Sequence, residues 1–488
     1  MKTKGIIIIS SILLLLPTFD LFSQSSWVKR LPAIGSFSSP RIADLNGDGT
    51  GDIILGAGRE EFQACDSAVI ALDGKNGRLL WNVPGRDQIF GSAALRDLNS
   101  DGVMDVVVGG RSAELKAING RTGKLIWEFF KTTSTKEPRE AGWFNFYNPQ
   151  FIPDQDKDGL EDILVSNGGD VLAEPYDPNR PAGSLMIISS KTGKLLSQAK
   201  MPDGKEIYMS VVAVRIEGKY LVVFGTGGET LGGNLFVGSL DEVIKGDLSG
   251  AVKLASSPDK GFISPPSCVD ITLDGIPDII VNAVDGRMFA FDGKTLAPIW
   301  EVLMPDTEVY SSVAIGNFTG DDIPDFFVSV AQGEWPKLEW NRQFMVDGAM
   351  GEIVFTDSLG FYQTSTGVVA DLTGDGRDEV LMSVNYQIVD ELFQKTFQNM
   401  LVVIDFSTND VIQIDNIFDG NNISSTPWIG DLDGNGKIDI IYCHATNTRH
   451  TYTFDGMQVN RLDTEVPIYA PVKWGAYMGS NYDGVLRK

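Results

Sequence analysis

Oxygen-bearing side chains at alternate positions, followed at once by an apolar run, recur seven times in this 488-residue chain. The first copy is DLNGDGTGD, Asp44 to Asp52, and Ile53-Ile54-Leu55 comes next. Ligands spaced by two around a glycine turn converge on one point. A hard cation such as Ca²⁺ needs that arrangement, with about six to eight oxygens in a flexible geometry. An EF-hand closes with a Glu at its twelfth position and leads into a helix. Here the closing carboxylate is ninth and the chain enters a strand, so the expected chemistry is calcium ligation inside a β-hairpin.

Four copies carry a full set of acidic or amide ligands: Asp44, Asn46, Asp48 and Asp52, with the Thr50 carbonyl; Asp97, Asn99, Asp101 and Asp105; Asp154, Asp156, Asp158 and Asp162; and Asp431, Asp433, Asn435 and Asp439. Three depart from it: Asp270, Thr272, Asp274 and Asp278; Asn317, Thr319, Asp321 and Asp325; and Asp371, Thr373, Asp375 and Glu379. The expected cofactor is structural calcium at up to seven sites. The alternative for each loop is an acidic turn holding only water.

The spacing shows what must position these loops. Their starts differ by 53, 57, 116, 47, 54 and 60 residues. The 116 is a double step, and near residue 212 stands SVVAVRIEGKYLVVFGTGG, two apolar strands whose acidic loop is missing. Eight repeats of about 55 residues follow. Each has four short runs bounded by Gly, Asn and Asp, which read as strands joined by tight turns. Four antiparallel strands per repeat make a propeller blade. The fold class is all-β, an eight-bladed β-propeller with calcium loops in seven blades, and residues 24–488 form its single domain. The fourth strands carry Trp81, Trp127 and Trp300, expected between blades. SSWVKRL, residues 25–31, resembles a fourth strand and should close the ring as the outer strand of the last blade. The tail PVKWGAYMGSNYDGVLRK should lie over that seam. No helix of three turns is expected outside ELFQKTFQ, in the insertion 385–399.

The chain resembles FG-GAP or integrin-α-like propellers in its acidic loops. In its DGKTG-x-x-x-W hairpins it is similar to the PQQ-like, or quinoprotein-like, eight-bladed propellers. The resemblance spans nearly all of residues 25–470 and implies fold more than activity. Quinoprotein dehydrogenases of that kind use two adjacent cysteines beneath the cofactor. This chain has only Cys65, Cys268 and Cys443, which argues against quinone binding. It also lacks a disulfide framework, and a Cys65–Cys443 pairing across the seam is left open.

Residues 1–23 read as a signal peptide, with Lys2 and Lys4 before an apolar run of roughly 12 residues, short of a membrane span. Export to periplasm, cell surface or medium is expected, with no transmembrane segment after cleavage. The formal charge of −25 disfavours nucleic acid as a partner.

In a propeller the loops joining first to second strands share one face, so the seven acidic loops lie together. The long insertions 131–147, 167–183, 227–234, 332–342 and 385–399 lie opposite, where function usually resides. That face carries Arg59, Arg111, Arg139, Arg180, Arg287, Arg342 and Arg449, with His444 and His450 read as one loop of the last blade. The aromatics Trp143, Phe144, Tyr147, Tyr176, Trp335, Trp340 and Tyr386 accompany them. Guanidinium forks and stacking rings suit an anionic carbohydrate or an acidic protein segment. Alternatively the arginines pair with Glu60, Glu114, Glu174 and Glu334. GxSxG, HExxH and CxxC are absent. The reading is a secreted or cell-surface, non-catalytic module for a protein or carbohydrate ligand. The alternative is a polysaccharide lyase of rhamnogalacturonan-lyase type, with His444 or His450 as base and an arginine neutralising a uronate.

Overall fold

Apolar runs such as DIILG and DVVVG directly follow the acidic loops and are buried along their whole length. A strand can be apolar on both faces only where other sheets cover both, and the neighbouring blades do so here. The computed structural model describes residues 26–130, 137–170 and 172–487. Residues 1–23, where a signal peptide is expected, and residues 131–136 of the first insertion lie outside them.

Eight antiparallel sheets, seven with four strands in sequence order and the last completed by the N-terminal strand, form an eight-bladed β-propeller. Blade one comprises Arg41–Ala43, Asp52–Gly56, Cys65–Leu72 and Leu79–Gly85. Blade four, Val212–Ile216 to Val252–Ser257, is the repeat without an acidic loop, and a short turn joins its first two strands. The last sheet pairs Trp27–Pro32 with Gly456–Pro467, so the N-terminal segment does supply the outer strand of blade eight.

A tryptophan on the fourth strand ties each of several blades to the next. The Trp27, Trp81, Trp127 and Trp300 indoles donate to the Gly74, Gly120, Ser190 and Gly348 carbonyls, at 2.8, 2.6, 2.6 and 2.9 Å. Their rings cover Gly77, Gly123, Gly193 and Gly351 in the same turns, all with φ near +70°. A Cβ there would meet the indole at 2.6–2.7 Å in a conformation that already disfavours it.

Two expectations change, for ELFQKTFQ and for the tail. ELFQKTFQ is not helical, because Glu379–Val389 pairs with Lys395–Asp405 as one long hairpin whose turn is at 390–394. A helix does occur at Leu240–Lys245, between the third and fourth strands of blade four. Ser239 and Glu242 form a capping box there, and Gly246 ends it in the left-handed conformation. Nor does the tail cover only the seam. It crosses the central channel against inner strands: Val369 and Ile429 donate to the Trp474 and Gly475 carbonyls, Arg41 to Tyr477, Gln150 to Asp483 and Cys268 to Gly484. Five blades thus hold one plug. The cysteines are buried free thiols; Cys65 and Cys443 share an apolar cluster without a bond between them.

Candidate ligand site

The tail closes one end of the channel, and a hollow of about 580 Å³ opens above it. The walls come from a position that recurs in the repeat. Phe37, Phe90, Tyr147 and Tyr310 each stand seven residues before an acidic loop, and Tyr208 and Tyr362 enter the corresponding inner strands of blades four and seven. Each lies where the chain turns from an outer strand back to the axis, so the eightfold repeat gathers these rings at its centre. Phe90, Tyr147 and Tyr208 form one edge-to-face series, with centroids 5.5 and 6.4 Å apart. Tyr310 and Tyr362 form another at 6.2 Å, and Tyr452 meets Phe37 at 5.8 Å. Tyr477 of the tail and Trp335 of the 332–342 insertion complete the lining. The sequence reading named only Tyr147 and Trp335 among these. The signal was present as an aromatic at a fixed distance before the acidic loop.

Burial holds the hydroxyls of Tyr147, Tyr208, Tyr310, Tyr362 and Tyr452 above the usual phenol range, so these walls carry no charge. Arg111 and Arg180 do line the hollow, yet each has its own carboxylate. Arg111 pairs with Glu61 and lies over the Phe90 ring at 4.8 Å. Arg180 reaches both oxygens of buried Glu206 at 3.2 Å and the Tyr208 hydroxyl at 2.9 Å. Beside them Lys260 approaches Glu308 at 2.7 Å, and Glu308 accepts from the Tyr310 hydroxyl.

The other rim residues do not converge on the hollow. Arg139 pairs with Asp170 at 2.7 Å, and Arg287 with Asp285 at 2.6 Å and Glu301 at 3.4 Å. Arg342 lies over Phe344. Arg59 lines a separate flank hollow with Arg86 and Lys116, and Arg449 is exposed. Tyr176 stands near Trp335, whereas Trp143 packs on Phe129 and Trp340 on Phe361. The arginine partners are mostly not the glutamates nearest in sequence. Of the seven rim arginines, Arg111, Arg139, Arg180 and Arg287 are paired with carboxylates, whereas Arg59, Arg342 and Arg449 have no ion pair among the described residues.

The histidines change more. His444 is not in a loop but inside the strand Lys437–Ala445, 3% exposed, stacked with Phe418 and Tyr442. His450 is packed among Phe361, Tyr362 and Phe397. Neither lines the hollow, which removes the base that a lyase there would use. Burial lowers His444 to about 4, below its ordinary unfolded value near 6.5. Above that unfolded value both states are neutral; as pH falls toward 4 only the unfolded chain takes up the proton. Up to about 3 kcal/mol of stability is lost over that window. Replacement His444→Phe is expected to gain stability relative to wild type between about pH 7 and about pH 5. A denaturant-midpoint difference that stays constant over this range would contradict the assignment.

In the acidic loops the first carboxylate gathers loop amides. Asp44 accepts from Gly47, Asp48 and Gly49, and Asp154 from Lys157 and Gly159. The ninth carboxylate is buried and braces the blade: Asp52 accepts from the Leu45 and Gly74 amides, Asp278 from Ile271 and Gly293, and Asp325 from Phe318 and Gly348. Burial raises Asp52, Asp162 and Asp439 to about 6. Carboxylate oxygens of Asp154, Asp156 and Asp162 lie within 4.8 Å of one another, as do those of Asp431, Asp433 and Asp439. These donor sets fit an oxygen-seeking cation. In two loops with threonine at the third position, the Thr319 and Thr373 hydroxyls instead donate to the ninth carboxylate. In the last loop Arg461 already holds Asp433 and Asp439.

Residues 57–247 match the family model of the FAM234A/B beta-propeller. The chain is similar to FAM234B. Identity to the mouse protein is 24% over 424 residues, covering 77% of this chain and 62% of the relative; for the human protein it is 23% over 420 residues, covering 77% and 61%. This chain thus spans about three-fifths of the relatives' length. Among solved structures, the quinohemoprotein alcohol dehydrogenase from Comamonas testosteroni superposes with a TM-score of 0.51 at 12% identity, covering 90% of this chain and 77% of that one. A europium-containing methanol dehydrogenase gives 0.51 at 12%, covering 89% and 93%. These bear out the PQQ-like likeness as a matter of fold, while the matching family model is not the FG-GAP one. Among the described residues no helix is long and apolar enough to cross a membrane.

Proposed function

We propose that this chain is an exported, calcium-stabilised propeller that binds a ligand in its central hollow without transforming it. The observation that carries the reading is the convergence of Phe37, Phe90, Tyr147, Tyr208, Tyr310 and Tyr362 from equivalent positions onto one cavity floored by the tail. A hollow of this volume with a few polar groups has the usual character of a small-ligand site. Export rests on residues 1–23. Ile263 lines the hollow without any side-chain polar bond, so Ile263→Trp should fill it and spare the fold. Wild type and variant would be applied to glycan, peptide and metabolite arrays. Ligands lost in the variant support the reading; ligands retained in full would place binding elsewhere.

Calcium is the structural part of the proposal. Extracellular modules bind it with dissociation constants of ~10⁻⁴ to 10⁻³ M, so at about millimolar Ca²⁺ each occupied site adds roughly 0.5–1.5 kcal/mol. The expected result is a melting temperature several degrees lower in EDTA and restored by Ca²⁺ but not by Mg²⁺. A melt that EDTA leaves in place would remove calcium from the proposal.

A further inference from the structure

The hollow is aromatic on most sides, and its cations are already matched. Arg111 has Glu61 and Arg180 has Glu206, and Lys260, beside the hollow, has Glu308. Glu229, half-buried in the 227–234 insertion, is different. Among the described residues none hydrogen-bonds or ion-pairs with its carboxylate, although it lines the hollow and acts electrostatically on Tyr147, Tyr208, Tyr310, Tyr362 and Tyr452. One surplus negative charge therefore faces a cup of neutral rings. The faces of such rings attract cations, and one wall already does so, since the Arg111 guanidinium lies 4.8 Å from the Phe90 centroid.

A cation entering this cup exchanges water for ring faces. A primary ammonium is strongly hydrated and needs hydrogen-bond acceptors, and the Ser39, Ser92, Ser210 and Thr230 hydroxyls that line the hollow already accept from backbone amides. An alkylated ammonium has no N–H to satisfy, is weakly hydrated, and buries methyl groups favourably. An anion would meet Glu229 and ring faces of the wrong sign.

We infer that the central hollow takes a trimethylammonium group, free in a small molecule or as the headgroup of a choline lipid, with the rings of the inner-strand entries around its methyls and Glu229 as its counter-charge. This rests on the proposed reading of the hollow as a ligand site. It also gives the 227–234 insertion a role, in carrying a carboxylate that lines the hollow and that no hydrogen bond or ion pair holds among the described residues.

Calorimetric titration of the full exported chain tests it with choline, with phosphatidylcholine vesicles, and with dimethylbutanol, the uncharged isostere in which carbon replaces nitrogen. Choline should bind at least about tenfold more tightly than the isostere, and Glu229→Gln, with an unchanged melt, should lose about tenfold for choline alone. Binding to vesicles but not to choline would assign the group to lipid. The inference falls if choline and isostere bind equally, if Glu229→Gln binds choline as wild type does, or if neither choline nor vesicles bind at up to about 10 mM headgroup. Should arrays still yield a ligand that Ile263→Trp loses, only the cation assignment fails and the binding site stands.

Discussion

Arg461→Ala is expected to lower stability by about 3–5 kcal/mol, the cost of stranding buried carboxylates when their cation is removed. Arg461 is 1% exposed in the strand Gly456–Pro467. Its guanidinium reaches Asp439 at 2.9 Å and Asp433 at 2.7 Å, and donates at 3.1 Å to the Gly74 carbonyl of blade one, which also accepts from the Trp27 indole. One side chain thus neutralises the last acidic loop and joins the last blade to the first. Arg461→Lys should recover little, since an ammonium cannot serve three diverging acceptors in a planar fork. The variant also leaves the Asp431, Asp433 and Asp439 cluster without its internal cation, so its melt should respond more to added Ca²⁺ than that of wild type. A melting temperature within about 1 °C of wild type would refute the assignment.

The second large effect is expected in the tail. Trp474 is 1% exposed and packs into the core of blades five to seven, while its backbone bonds Val369. Trp474→Ala should cost about 3–5 kcal/mol. Because the tail returns to no sheet of its own, the loss should free it, and limited proteolysis should cut within 470–487 before any blade is cleaved. Ligand binding should fall as well, since Tyr477 floors the hollow. Trp474→Phe is the control. Among the described residues the indole nitrogen has no hydrogen-bond partner, so the smaller ring should lose packing only, about 1–2 kcal/mol. Equal protease resistance of wild type and Trp474→Ala would overturn the plug.

Much of the architecture was legible because it is periodic. The spacing of the acidic loops, with one double step, counted eight blades, and the strand-like SSWVKRL announced the closure at Trp27–Pro32. These features depend on local pattern repeated at a fixed interval. The aromatic ring of the hollow is equally periodic, yet it carries no motif of its own and was passed over. The helix at Leu240–Lys245 was likewise signalled by Ser239 and Glu242 but is too short for a periodicity to reveal.

The rest belongs to separations no local pattern spans. Arg111 chooses Glu61 rather than Glu114, and Arg180 chooses Glu206 rather than the Glu174 carboxylate, because neighbouring blades bring distant loops together. His444 lies near the end of the strand Lys437–Ala445 and is packed into the core, where desolvation keeps it neutral. The tail reads as loop from its Gly, Tyr and Met content, and only the channel makes it a plug. By itself the sequence determined that oxygen-rich turns would sit at regular intervals on one face of an eight-bladed ring, because turn chemistry and alternation act between neighbours. Only the tertiary structure decided that the opposite hollow is aromatic, self-neutralised save for Glu229, and closed below by Tyr477, because burial and charge pairing are properties of what packing brings together.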